Sequence, residues 1–209
     1  MKPRGAERAA VVGGGIAGAL SCLMLVQEGL EVDWHAPEEP AIREDGAQAR
    51  AYALAPGSRS LLESLEVWAR LAAVQPVTAM EVTQAEPFGR VHLRAEDAGV
   101  PQLADMVLHA DLLSAAEAAV SQCADRVRRR PAFEVGRVGP QVVEACFPSA
   151  SLVVGADGAG SRLRRAAGIL SSRKDYEQAA LVMRFRTERP HEGLACQWFG
   201  PAQSPKGIL

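Results

Sequence analysis

Gly13, Gly15 and Gly18, with the spacing G-x-G-x-x-G, are the residues whose type and placing most directly suggest chemistry. In that pattern the first glycine permits a tight turn and the second lets backbone approach a pyrophosphate. The third lets a helix pack closely on the preceding strand. The unpaired N–H groups and positive dipole end of that helix then face the phosphates. A second candidate is Asp157-Gly158, directly after the apolar Ser151–Val154. Ligands of open α/β sheets sit beyond the carboxyl ends of strands, so this turn could meet the same nucleotide. An ordinary Asp-Gly turn before a helix starting at Ser161 explains the residues equally well.

Other reactive residue types form no constellation. His35, His92, His109 and His191 share no i, i+4 spacing and no acidic pair, and each is read as structural or surface. Cys22, Cys123, Cys146 and Cys196 form no CxxC pair, which predicts reduced thiols in a cytoplasmic protein, with no metal site. Cys22 is expected to be a small buried residue. Trp34, Trp68 and Trp198 are expected to pack in the core or at interfaces.

The glycines interrupt an uncharged run, Ala9 to Val26, that follows Lys2, Arg4 and Arg8. Such a run is an export signal, a membrane span or a phosphate cradle. Three adjacent glycines cost a helix roughly 1 kcal/mol each relative to alanine, so one continuous helix is disfavoured. Split there, Ala9–Val12 is a short buried strand, and Ile16, Leu20, Leu23 and Met24 recur at helical spacing. Gly29 stops the helix, and Glu31–His35 follows as a second strand. This is the context a dinucleotide fold requires; a glycine turn without a ligand is the alternative. The acid that should end the second strand and hold a ribose is replaced by Ala36, with Glu38 and Glu39 two and three residues later.

The 209 residues are 48% hydrophobic and 23% charged with net charge −2, which excludes disorder and allows one sizeable core or two small ones. Balanced charge leaves no footprint for nucleic acid, and Arg126, Arg128, Arg129 and Arg130 read as a solvated face. After residue 75 the pattern changes. Val77–Ala85 and Arg90–Arg94 read as strands around Pro87-Phe88-Gly89. Asp111 reads as the N-cap of a helix carrying Leu112, Leu113, Ala116, Val120 and Cys123. Phe133–Val138 and Gln141–Phe147 read as a hairpin about Gly139-Pro140. Gln178–Thr187 alternates as a half-buried strand, with Leu194–Phe199 as its neighbour. The apolar residues closing the chain, Gly207-Ile208-Leu209, look like the start of another strand, so the sequence reads as interrupted.

Several blocks together carry a family resemblance: VVGGGIAGALSCLMLVQEGLEV, RAYALAPGSRSLLESLEVW, LVVGADGAGSRLRRAAGI, and YEQAALV with RTERPHEG and QWF. The chain resembles the FAD-dependent aromatic hydroxylases of ubiquinone biosynthesis, which are single-component flavoprotein monooxygenases. VGADGAGSRLR is the specific part. The resemblance implies an α/β fold in which a Rossmann-like FAD-binding domain with a parallel sheet is interleaved with part of a mostly antiparallel substrate-domain sheet. The implied division is 1–75 FAD-binding, 76–105 substrate-domain strands, 106–172 FAD-binding with a β-meander and the Asp-Gly motif, and 173–209 substrate-domain strands.

By resemblance, Gly13, Gly14, Gly15, Ile16, Ala17 and Gly18 hold the FAD pyrophosphate. Arg50 matches an arginine that contacts FAD, and Asp157 and Gly158 match a motif associated with FAD and the pyridine nucleotide, completed by Ser161 and Arg164. NAD(P)H as co-substrate would reduce the flavin, and one oxygen atom of O2 would enter an electron-rich phenolic ring. No catalytic side chain is implied. A polyprenylated phenol substrate would imply a cytoplasmic protein peripheral to the inner membrane face or held in a biosynthetic complex, yet no basic amphipathic helix is visible. Two departures stand out: Ala36, and Leu108-His109 where the family commonly carries a polar pair. Members run to roughly 400 residues, beyond the usual single-domain size, with a second FAD motif in their later part. A non-catalytic nucleotide-binding fragment and a nicotinamide-dependent dehydrogenase are the competing readings.

Overall fold

The computed structural model describes residues 7–37, 50–84, 89–133, 140–200 and 207–208. Its first sheet is wholly parallel, with β1 (Arg8–Val12), β2 (Glu31–His35), β8 (Val127–Arg130) and β9 (Leu152–Gly155) in the order β8-β2-β1-β9. The apolar run Ala9–Val12 of β1 follows from burial on both faces. Val11 packs with Trp34, Ala19, Cys22 and Ala116 in the larger core, whereas Ala10 and Val12 face Phe147 and Leu163 in a smaller one.

Helix α1 (Ile16–Gln27) follows the glycine turn, and its Ala19, Cys22 and Leu23 are buried in the larger core. It ends as the sequence suggests: Gly29 is left-handed at φ +87°, its N–H bonds Val26 O, and Leu30 N–H bonds Leu25 O. That is the Schellman arrangement, which satisfies carbonyls the helix leaves unpaired. The apolar run from Ala9 to Val26 is therefore a strand, a turn and a helix. Among the described residues no helix is long and apolar enough to cross a membrane.

A second sheet joins β3 (Ala51–Leu54), β7 (Ala104–Leu108) and β4 (Gln75–Val77), all antiparallel. Helix α2 (Pro56–Ser64) follows β3, with proline in its first turn where no N–H is needed. A third sheet has the order β11-β10-β5-β6, built from β5 (Ala79–Gln84), β6 (Gly89–Arg94), β10 (Leu194–Phe199) and β11 (Gly207–Ile208). Its pairings are antiparallel except β5 with β10.

Four expectations need correction. The strand expected over Val77–Ala85 is split between two sheets: β4 ends at Val77, and Thr78 N–H bonds Gly193 O before β5 begins. Helix α3 (His109–Ser121) starts two residues before Asp111, which lies in its first turn and is not its cap. A carboxylate there still favours the positive helix end. The second half of the expected hairpin is a helix, α4 (Pro140–Cys146). Gly139-Pro140 suits a turn in sequence, but proline is also preorganised for the first helical position. The first half, Phe133–Val138, lies outside the described residues beyond Phe133. Finally, Gln178–Thr187 forms no strand, and β10 pairs with β5 instead. Alternation fixes which side chains share a face, but it supplies no strand to bond with.

The arginine cluster is largely solvated and paired. Arg128 and Arg130 meet Glu31 and Asp33 at 3.4 and 2.8 Å across β8 and β2, contacts worth little individually. Arg129 turns to the opposite face, where its guanidinium lies 4.6 Å from the Trp34 ring centroid. All four cysteines are free thiols. Burial pushes the Cys22 thiol up to about 12, so it carries almost no thiolate at neutral pH. A thiol-reactive disulfide reagent at pH 8 is expected to label exposed Cys146 quickly and Cys22 only after unfolding; prompt native-state labelling of Cys22 would contradict this packing.

Candidate functional site

All four strands of the parallel sheet end on one cavity of about 540 Å³. Val12 closes β1 there, His35 closes β2, Ala132 and Phe133 follow β8, and Ala156 follows β9. The carboxyl edge of a parallel sheet is where loops and helix N-termini converge, so the polarity of the strands itself positions the site. Of the candidate residues, Gly13, Gly14, Gly15, Asp157 and Gly158 line this cavity. Ile16, Ala17 and Gly18 belong to α1 behind it. The Arg50 side chain is not part of the wall, although its carbonyl accepts the N–H of His109, which is.

Each glycine does a different job. Gly13 has φ +130°, and a Cβ there would lie 2.1 Å from Ala156 O, where the glycine turn abuts the end of β9. A Cβ on Gly18 would lie 2.0 Å from Gly13 O, so this glycine permits the close crossing of α1 over the turn. Gly15 is the opposite case, because a Cβ there would meet nothing within 4 Å. It caps α1 without a side-chain bond, in the wall of the cavity. Gly158 and Gly160, also in the wall, likewise leave open space. Backbone N–H groups that glycine leaves uncovered by a Cβ form the donor set that a pyrophosphate needs.

The Asp157 carboxylate is engaged within its own loop. One oxygen accepts from Ser161 Oγ at 2.5 Å, and the other accepts from the N–H groups of Arg162 and Leu163 at 2.6 and 3.1 Å. Ser161 Oγ in turn accepts from Arg164 N–H, capping α5 (Arg162–Ala166). Burial alone would raise the Asp157 pKa, but these hydrogen bonds outweigh it and hold it below the ordinary aspartate value. The lowered value means that this stabilisation is complete above the unfolded-state pKa near 3.9 and is lost as pH falls through the folded value. Asp157→Ala is expected to cost about 2 kcal/mol at pH 7. Urea titrations should show the difference from wild type shrinking as pH falls below about 4; a difference that grows as the pH is lowered would contradict the assignment.

Three wall residues were not singled out in the sequence for this site. His35 bonds Pro131 O through Nδ1 at 3.3 Å and stands edge-on to Phe147 at 5.0 Å. Phe133 lies tilted at 40° against the same Phe147 ring, also at 5.0 Å. His109 opens α3, and its Nδ1 lies 2.8 Å from the Tyr52 hydroxyl. The available signal was positional: His35 ends a parallel strand, and His109 stands where a strand meets a helix. Ala36 is buried beside the turn, 3.3 Å from where a Gly14 Cβ would lie, and offers no polar group. Glu38 and Glu39 lie outside the described residues. No group of three or more metal-ligating side chains occurs among the described residues.

No family model matches the chain. It is 29% identical over 212 residues to ubiquinone hydroxylase UbiL of Rhodospirillum rubrum, covering 95% of this chain and 48% of that protein. It is also 29% identical over 215 residues to 3-demethoxyubiquinol 3-hydroxylase of Escherichia coli, covering 96% and 53%. The chain is thus similar in sequence to two ubiquinone-biosynthesis hydroxylases. It spans about half the length of the curated relatives it matches.

Its fold is also found in solved flavin monooxygenases. The tetrameric form of 2-methyl-3-hydroxypyridine-5-carboxylic acid oxygenase matches with a TM-score of 0.64 at 17% identity, covering 97% of this chain and 56% of that one. The flavin-dependent monooxygenase PieE, solved with FAD and substrate, matches with a TM-score of 0.55 at 17% identity, covering 79% and 32%. These solved proteins share the Rossmann-like parallel-sheet fold of this chain, and in this chain the glycine turn lies on the carboxyl edge of that sheet.

Proposed function

We propose that this chain supplies the FAD-holding part of a monooxygenase that hydroxylates an aromatic, ubiquinone-precursor-like ring with NAD(P)H and O2. The observation that carries the reading is the cavity at which four parallel strands end, lined by Gly15 where a Cβ would meet nothing within 4 Å. Relationship to ubiquinone hydroxylases supports the substrate class. In this reading the N–H groups of Gly14 and Gly15 and the start of α1 hold the pyrophosphate. The N–H groups beyond β9, at Gly158 and Gly160, face it from the opposite side. The Asp157 carboxylate acts through the loop it shapes, and Arg50 contributes beside His109. Segments 1–75 and 106–172 build the FAD-holding part, and 76–105 and 173–209 contribute to the substrate side. The flavin, when bound, would supply the redox and oxygen-transfer chemistry. The task of the protein's own groups is to bind, orient and keep water away. A polyprenylated ring would bring the protein to a membrane surface or into a complex.

The second reading, a nucleotide-binding chain without hydroxylase activity, is favoured by Ala36, which offers a ribose no hydrogen bond. Titration of the purified chain with FAD, followed by flavin fluorescence and by a visible spectrum after desalting, tests the first requirement. Retained yellow flavin, displaced by ADP, supports the proposal. Colourless protein that takes up no FAD overturns it. Flavin retention without NAD(P)H-dependent oxygen uptake, with a ubiquinone-precursor phenol present, supports the second reading.

A further inference from the structure

The glycine turn is also held from the second strand. Trp34, 2% exposed within β2, donates its Nε1–H to Gly13 O at 2.9 Å. The same oxygen is confined by α1, since a Cβ at Gly18 would come within 2.0 Å of it. In a trans peptide the C=O and the following N–H point in opposite directions. Drawing the Gly13 carbonyl toward Trp34 therefore turns the Gly14 N–H away from the indole. Gly14 lines the cavity, and its N–H has no hydrogen-bond acceptor among the described residues. The indole is itself fixed: Arg129 lies 4.6 Å over its ring and is bonded to Pro37 O at 2.5 Å and to Glu117 at 3.3 Å.

We propose that Trp34 is a positioning residue that orients the Gly13–Gly14 peptide so that the Gly14 N–H is presented to a pyrophosphate. This rests on the reading of the cavity as the FAD site. It differs from core packing because it depends on one indole proton. Trp34→Phe keeps an aromatic ring in the core but deletes that donor and frees the peptide to rotate. Val32→Ala, in the same strand and core, is the control, because it removes packing without touching the turn.

The test measures ADP and FAD binding by calorimetry where urea titration shows each variant folded. It also follows the Gly14 amide of ¹⁵N-labelled wild-type protein during ADP titration. Trp34→Phe is expected to weaken both ligands about tenfold, the scale of one hydrogen bond. Val32→Ala is expected to lose stability with ligand affinity within about twofold of wild type. The wild-type Gly14 amide proton is expected to move downfield as ADP binds. Unchanged affinity in Trp34→Phe, or a Gly14 amide that does not respond while ADP binds, overturns the role of Trp34 alone. If Trp34→Phe does not fold, the wild-type amide decides. Wild-type protein that binds neither ligand overturns the FAD site and this role together.

Discussion

Alanine at position 13 is expected to destabilise the chain by at least about 4 kcal/mol, enough to abolish cooperative unfolding in urea. Two independent costs combine. Gly13 has φ +130°, a conformation that side-chain-bearing residues rarely adopt. The new Cβ would also lie 2.1 Å from Ala156 O, 2.4 Å from Ala156 C and 2.8 Å from Asp157 N. These are backbone atoms, so no rotamer change relieves the clash. Relief requires separating β1 from β9, and that would break the bond from Ala156 N–H to Val12 O at 2.7 Å. Gly18→Ala should behave similarly, because its Cβ would meet Gly13 O. Urea titration with circular dichroism checks both variants; a loss under about 1 kcal/mol would show that the turn relaxes more readily than its geometry implies.

Gly15→Ala is expected to do the reverse, leaving the fold intact and weakening FAD binding about a hundredfold, equivalent to about 2.7 kcal/mol. Gly15 has φ −87° and ψ −179°, which any residue adopts, and its Cβ would meet nothing within 4 Å. Replacing glycine by alanine at an N-cap costs at most about 1 kcal/mol. The methyl group would occupy space that a phosphate needs for close approach to the backbone. Calorimetric titration with FAD beside a urea curve separates the two effects. A folded Gly15→Ala protein that binds FAD as wild type does would remove the turn from the site. The contrast between positions 13 and 15 distinguishes a glycine required by the chain from one required by its ligand.

The glycine spacing, the flanking strands and the Gly29 stop were legible because they are local: each depends on backbone propensity within a few residues. Sequence and structure part where pairing or context decides. Gln178–Thr187 alternates as a strand does, yet only a neighbour could make it one, and β5 bonds to β10. Pro140 opens a helix because Val143 and Phe147 can then meet the smaller core, a contact no turn rule anticipates. In sequence His109 stands out only as part of the Leu108-His109 departure; its place in the cavity wall depends on β3, β7 and α3 meeting beside the parallel sheet.

By itself, then, the sequence determined that a strand, a tight glycine turn and a helix follow one another, and that the turn is chemically suited to phosphate. Only the tertiary structure decided which glycine serves which purpose. A Cβ on Gly13 would meet Ala156, just after β9 and more than 140 residues away in the chain, one on Gly18 would meet the turn it follows, and one on Gly15 would meet nothing within 4 Å. It likewise decided that the Asp157 carboxylate is spent on its own loop and that Trp34 holds the Gly13 carbonyl. The physical reason is common to all of these. Propensity is a property of neighbours in sequence, whereas close approach and hydrogen-bond partnership are properties of chain segments brought together by the sheet.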